Sequence, residues 1–285
     1  MSTPPFLEPP DGVDRVEVPA ASGSLAALAG SPDTSPPRSP VLLVPGFTGS
    51  KEDFIGVLAA IRAAGHPLVA IDQRGQYESP GDGDPASYDM KALAEDVLAV
   101  ARHLGGPVHL LGHSFGGLVA RAATLADPGA VRSLTLMSSG PAAIPHPSAS
   151  NLQLVISVLP GMDLEAVWAA KRQLEAQTEA RPPEPHIEEW MHRRYVTHDP
   201  ICIRRMAELL LSEEDRVGEL AQLRVPTHVI HGVDDDAWTP AEQAEMARRL
   251  DAAHSVVEGA AHSPAAERPE ATAEALVAFW ASLHP

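Results

Sequence analysis

A serine set among glycines, Gly112-His113-Ser114-Phe115-Gly116-Gly117, follows directly on the apolar run Val108-His109-Leu110-Leu111. Nothing else in the sequence constrains the fold as tightly. A chain that leaves a buried strand and enters a helix within two or three residues must turn sharply. The apex residue then takes strained dihedrals, and its neighbours cannot carry a Cβ without clashing. Such a turn holds a hydroxyl above the sheet edge, with a helix N-terminus behind it. A glycine-rich turn with an incidental serine has the same local pattern, so the surroundings decide.

Around this turn, short apolar segments alternate with helical ones. Strands are predicted at Val41–Val44, Leu68–Ile71, Val108–Leu111, Ser133–Met137, Thr227–His231 and Ser255–Val257, and two earlier ones at Val13–Val18 and Leu25–Ala29. Helices are predicted at Lys51–Ala64, Met90–Leu104, Phe115–Ala126, Pro240–Leu250 and Pro264–Leu283. Short strands without polar alternation belong to a parallel sheet covered on both faces. The expected fold class is therefore α/β, a mostly parallel, doubly wound sheet. Residues 141–221 break the rhythm. No strand is convincing there, and helical patches at Leu164–Glu179, Ile187–Tyr195 and Cys202–Leu211 dominate. That interval is too long for a loop in a compact domain. It predicts an inserted helical cap over the strand C-termini, where such sheets bind ligands. Residues 1–140 and 222–285 would then form the core. The first 12 residues and Ser31–Pro40, rich in Pro and Ser, read as a tail and a loop.

Composition removes several classes of partner. A formal net charge of −17 on 285 residues argues against nucleic acid, anionic membrane and strongly anionic substrates. No stretch approaches the roughly 18 consecutive apolar residues of a membrane span. The first residues have neither a basic region nor an apolar one, so no secretory signal is expected. The single cysteine, Cys202, excludes an internal disulfide and leans towards a reducing cytoplasm. It is expected to pack as a small apolar side chain.

A serine hydroxyl is a poor nucleophile until a base takes its proton, and the base needs an acid to fix its tautomer. Two segments at strand ends supply candidates: His231-Gly232-Val233-Asp234-Asp235-Asp236 and Gly259-Ala260-Ala261-His262-Ser263-Pro264. The chain order is then Ser, Asp, His. From about Val41 to Trp280 the sequence resembles the α/β-hydrolase superfamily, in its cap-bearing serine hydrolase and esterase form. The resemblance implies Ser114 as nucleophile, His262 as general base and Asp235 as the acid, with Asp236 the alternative. Asp234 is expected to cap or solvate the turn. It also implies an oxyanion hole from the backbone N–H groups of Phe115 and Phe47. Phe47 lies in Pro45-Gly46-Phe47-Thr48-Gly49, where many relatives read His-Gly-x. Asp72-Gln73-Arg74-Gly75 is similar to the D-x-R-G-x-G-x-S segment of cap-bearing members; Tyr77 replaces the second glycine and Ser79 is retained. Asp72 and Arg74 would tie a loop beneath the site, and Tyr77 could enter the pocket.

Other features carry blander expectations. His113 should pack under the serine turn. His146, His186, His192 and His198 lack paired ligand spacing, so no metal and no cofactor are expected. Gly81-Asp82-Gly83-Asp84 reads as a solvated loop. Trp168, Trp190 and Trp238 line a pocket or pack, with Trp238 the best pocket candidate. The expected activity is hydrolysis of a carboxylic ester of a small, largely apolar substrate through an acyl-enzyme. C–C bond, thioester, amide or peptide hydrolysis, perhydrolysis and acyl transfer use the same triad and stay open. So do a non-catalytic ligand-binding receptor and a cofactor-free oxygenase or lyase. Serine in place of aspartate at 114 argues against a dehalogenase or epoxide hydrolase. The cap decides the substrate.

Overall fold

The computed structural model of the chain describes residues 1–145, 148–175 and 183–283. One sheet runs through it. Its strands are β1 (Val13–Ala20), β2 (Gly23–Gly30), β3 (Val41–Val44), β4 (Leu68–Ile71), β5 (Val108–His113), β6 (Val131–Met137), β7 (Thr227–Gly232) and β8 (Ala253–Val257), in the spatial order β1-β2-β4-β3-β5-β6-β7-β8. β1 and β2 pair antiparallel with each other, and β2 with β4; all other neighbours are parallel.

The unalternating strands are explained by their two covered faces. Leu42 and Val44 pack with α2 (Met90–His103) and α3 (Phe115–Ala126), whereas Val41 and Leu43 pack with α1 (Ile55–Ala63) on the opposite face. The order of strands sets the position of the site. From β3 the chain steps outward to β4, then returns past β3 to β5. A crevice therefore opens at the C-terminal ends of β3 and β5, the topological switch point.

Between β6 and β7 lie α4 (Ser148–Val158), α5 (Leu164–Glu175), α6 (Pro185–Thr197), α7 (Pro200–Ser212) and α8 (Val217–Leu223). Buried Arg194 of α6 donates to Asp53 at 2.7 Å, in the segment after β3. The Asp199 N–H donates to the Gly75 carbonyl at 2.9 Å, in the loop after β4. α6 and the start of α7 thus meet the core at the loops leaving the C-terminal ends of two strands. Residues 176–179 of the expected patch and His146 lie outside the described residues. The chain continues with α9 (Pro240–Leu250), α10 (Pro264–Glu267) and α11 (Pro269–Ser282).

Several boundaries differ from expectation by a few residues, and three of the differences have a structural reason. β5 runs two residues further, and Gly112 and His113 still pair with Leu136 and Met137 of β6. The strand therefore reaches the serine itself. The helix after β3 opens with a 3-10 turn over Lys51–Phe54. The expected helix Pro264–Leu283 is broken: Arg268 (φ −140°, ψ 61°) is pushed off helical geometry by Pro269. Among the described residues no helix is long and apolar enough to cross a membrane.

Candidate active site

Ser114 sits at the end of β5 with φ 54° and ψ −120°, dihedrals that a non-glycine residue adopts only when its surroundings enforce them. Its N–H donates to the Met137 carbonyl at 2.8 Å, and its own carbonyl accepts the Gly117 N–H at 2.9 Å. A Cβ at Gly112 would overlap the Gly116 carbonyl, and one at Gly116 the carbonyls of Val44 and Pro45. The turn is backbone packed on backbone.

His262, in the loop after β8, places Nε2 3.0 Å from Ser114 Oγ and Nδ1 2.9 Å from Asp235 Oδ1. A carboxylate only accepts, so Nδ1 carries the proton and Nε2 is left to accept from the serine hydroxyl. Asp235, after β7, is buried; its Oδ1 also accepts the Ala237 N–H at 3.1 Å and its Oδ2 accepts Gln243 Nε2 at 2.9 Å. Burial pushes its pKa up, but the hydrogen bonds from His262, Gln243 and Ala237 and the neighbouring imidazole outweigh it. The carboxyl is held below its ordinary value and stays ionised. Asp234 and Asp236 are exposed. A line of hydrogen bonds thus runs from a buried carboxylate through an imidazole to a hydroxyl. This arrangement lets a serine lose its proton as it attacks.

His113 is buried beneath the turn, and its Nε2 donates to the His262 carbonyl at 2.7 Å. Burial, with His262 beside it, pushes its pKa down to about 3, so it acts as a neutral donor. It joins the strand bearing the serine to the loop bearing the imidazole, a tie that packing arguments from sequence missed.

The segment after β3 lies against the serine: a Cβ at Gly46 would be 3.0 Å from Ser114 Cβ. Phe47 is half-buried there, and Phe115 is the buried first residue of α3. Two buried amides hold the segment. Gln73 Nε2 donates to the Pro45 carbonyl and Gln76 Nε2 to the Gly46 carbonyl, each at 2.8 Å. Asp72 accepts both the Lys51 N–H and Lys51 Nζ, each at 2.7 Å. Arg74 turns away from that segment and donates to Asp96 of α2 at 2.9 Å. The sequence singled out Asp72 and Arg74 but neither glutamine.

Tyr77 is buried edge-on against Trp190 of α6, centroids 5.8 Å apart, with Lys51 Nζ 4.8 Å from its ring centre. Trp238 is buried, and its Nε1 donates to the Ala142 carbonyl at 3.2 Å. Trp168 packs on Tyr195. Cys202 is buried, and burial raises its thiol pKa. His192 Nε2 meets Glu165 at 2.7 Å, and His198 Nδ1 donates to the Arg194 carbonyl at 2.6 Å. Among the described residues no group of three or more His, Cys, Asp or Glu side chains is placed to hold a metal ion.

A family model described as "Alpha/beta hydrolase family" matches residues 41–275. The sequence is 28% identical over 257 residues to a non-heme chloroperoxidase of Streptomyces lividans, a match spanning 84% of this chain and 91% of that one. It is 28% identical over 234 residues to a pimeloyl-acyl-carrier-protein methyl ester esterase of Aeromonas hydrophila, spanning 79% and 88%. A further match, 39% identical over 100 residues, spans 35% of this chain and 37% of a Variovorax paradoxus protein. The structure superposes on a thermophilic esterase from Thermogutta terrifontis with a TM-score of 0.74 and 23% identity, covering 95% of this chain and 100% of the other.

Proposed function

Because the chain belongs to the alpha/beta hydrolase family, we propose that it hydrolyses carboxylic esters of small, largely apolar molecules through Ser114, His262 and Asp235. The observation that carries this reading is the hydrogen-bonded line from Asp235 Oδ1 through His262 to Ser114 Oγ. As Ser114 Oγ attacks the acyl carbon, its proton passes to His262 Nε2. Asp235 keeps the other ring nitrogen protonated and stabilises the imidazolium that forms. The N–H groups of Phe47 and Phe115 receive the developing oxyanion. His262 returns the proton to the departing alkoxide, leaving an acyl-enzyme. It then takes a proton from water, which attacks the acyl carbon; the bond to Ser114 Oγ breaks, His262 returns the proton to the serine, and the acid is released. Residues 141–221 act as the cap over this site and set the size of acyl group it accepts. A cytoplasmic setting fits the single, buried cysteine.

Esters are favoured because an alkoxide or phenoxide leaves with less help than an amine, and a methyl ester esterase is among the relatives matched over most of the chain. A second reading is supported by the chloroperoxidase match: hydrogen peroxide replaces water at the acyl-enzyme and a peracid is released.

The test is turnover of p-nitrophenyl esters of graded acyl length, with and without peroxide, by wild type and Ser114→Ala. The proposal expects wild-type turnover with a preference for short chains and no turnover by the variant. Undiminished hydrolysis by Ser114→Ala would remove the assignment. Peracid formation outpacing acid formation would select the second reading.

A further inference from the structure

We propose that Gln76 aims the Phe47 N–H at the oxyanion, acting as a positioning residue for the reaction proposed above; the inference rests on that reading. One peptide joins Gly46 to Phe47 and carries both the Gly46 carbonyl and the Phe47 N–H. A trans peptide is planar, and its C=O and N–H point in opposite directions. Whatever fixes the Gly46 carbonyl therefore fixes the direction of the Phe47 N–H. Two donors fix that carbonyl. Gln76 Nε2 donates to it at 2.8 Å, and the Gly49 N–H does so from within the same turn at 3.1 Å. With both lone pairs taken, the peptide plane has little freedom to rotate.

The amide of Gln76 is itself held in one orientation. Its Oε1 accepts the Gln73 N–H at 3.2 Å, so the nitrogen end must face Gly46. Nε2 also meets Met206 Sδ of α7 at 3.6 Å. The side chain is fully buried, so no water competes for these partners. Gln73 provides the internal contrast. Its Nε2 pins the Pro45 carbonyl at 2.8 Å, but the peptide that follows Pro45 carries the Gly46 N–H, not that of Phe47. Both glutamines support the segment, and one of them sets the direction of the donor. An oxyanion donor aimed in advance costs no reorganisation when charge develops, and losing such a donor outright costs about 10²- to 10³-fold in kcat.

The experiment compares Gln76→Leu, Gln76→Glu and Gln73→Leu with wild type. Kinetics of p-nitrophenyl butyrate hydrolysis are read alongside the phosphonylation rate of Ser114 and the thermal midpoint. Gln76→Leu is expected to lower kcat by about 10- to 100-fold, to slow phosphonylation similarly, and to leave KM within about threefold. Gln76→Glu keeps the shape and the acceptor but turns an oxygen on the Gly46 carbonyl, and should lose as much or more. Gln73→Leu should lower kcat several-fold less than Gln76→Leu. An unchanged kcat in both Gln76 variants would overturn the proposal. So would equal losses in Gln73→Leu and Gln76→Leu, or a fall in kcat matched by a rise in KM and a collapsed thermal midpoint, since these describe a loosened segment. A wild-type protein inert to both ester and phosphonate would overturn the hydrolase reading first, and this inference with it.

Discussion

Two turns meet at Ser114, and they are held in place by opposite means. The turn after β5 is fixed by main chain. Gly112 and Gly116 let backbone lie on backbone, and the Ser114 N–H is tied to the Met137 carbonyl. The segment after β3 has one main-chain bond of its own, Gly49 N–H to the Gly46 carbonyl, and is otherwise fixed by side chains, with Gln73, Gln76 and Asp72 reaching in from the β4 loop. A turn held by main chain has no slack and tolerates no added atom. One held by side chains can be retuned by substitution while the sheet stays as it is. Alpha/beta hydrolases place the nucleophile on the first kind of turn; in this chain the second kind carries the proposed partner donor of the oxyanion hole.

The largest effect is expected on the rigid side, at the carboxylate behind His262. Asp235→Asn replaces an acceptor-only carboxylate by a neutral amide, so the His262 tautomer is no longer enforced and the imidazolium loses its counter-charge; kcat for ester hydrolysis is expected to fall by about 10³- to 10⁴-fold. The exposed neighbour, Asp236→Asn, should stay within about threefold. Steady-state kinetics of the two variants decide between the adjacent carboxylates, and the reverse ranking would move the acid to Asp236.

The next effect is on stability. A Cβ at Gly116 collides with the Val44 and Pro45 carbonyls, neither of which can move without dismantling β3, whereas one at Gly49 collides first with the carboxylate of Asp53. Gly116→Ala should therefore destabilise by about 3 kcal/mol or more, and Gly49→Ala by about 1–2 kcal/mol. Urea midpoints measure both. Equal costs would mean that the two turns are held alike.

The last expected effect is the most diffuse, spread over the molecule. Burial keeps His113 beneath the serine turn, His198 after α6 and His228 in β7 neutral, with pKa values pushed down to about 3, about 4 and about 4 from an ordinary 6.5. The unfolded chain binds protons below pH 6.5 that the folded chain refuses. Stability should therefore fall as pH drops from about 6.5 towards 4 and level off above that window, the three imidazoles outweighing the opposite contribution of Asp53 and Asp72, whose buried carboxyls are raised. Urea midpoints flat between pH 7 and 4.5 would contradict it.

How much of this was legible follows from the same contrast. The strand-borne elements were readable because strands buried on both faces leave unalternating apolar runs, and a sharp turn leaves its glycines. Ser114 and Asp235 follow two such runs, β5 and β7, and His262 follows the mostly exposed edge strand β8; the fold brings the three within hydrogen-bonding distance. Gln73 and Gln76 were not readable: an amide in an irregular loop has no periodic signature, and its partners lie some 30 residues earlier. The His113 tie was hidden because its acceptor is a backbone carbonyl, which leaves no mark in sequence. The break between α10 and α11 did have a signal in Pro269, outweighed by the apolar periodicity on either side. α4 was missed because its apolar residues do not gather on one face; Leu152 is buried and Leu154 is 58% exposed.

Whether Ser114 is the nucleophile is decided by treating the wild-type protein with a fluorophosphonate and locating the adduct by peptide mass spectrometry. One adduct is expected, on Ser114, formed in step with loss of ester hydrolysis and much slower in Asp235→Asn. Full loss of activity with the adduct on another residue, or ester turnover persisting after Ser114 is fully modified, would contradict it.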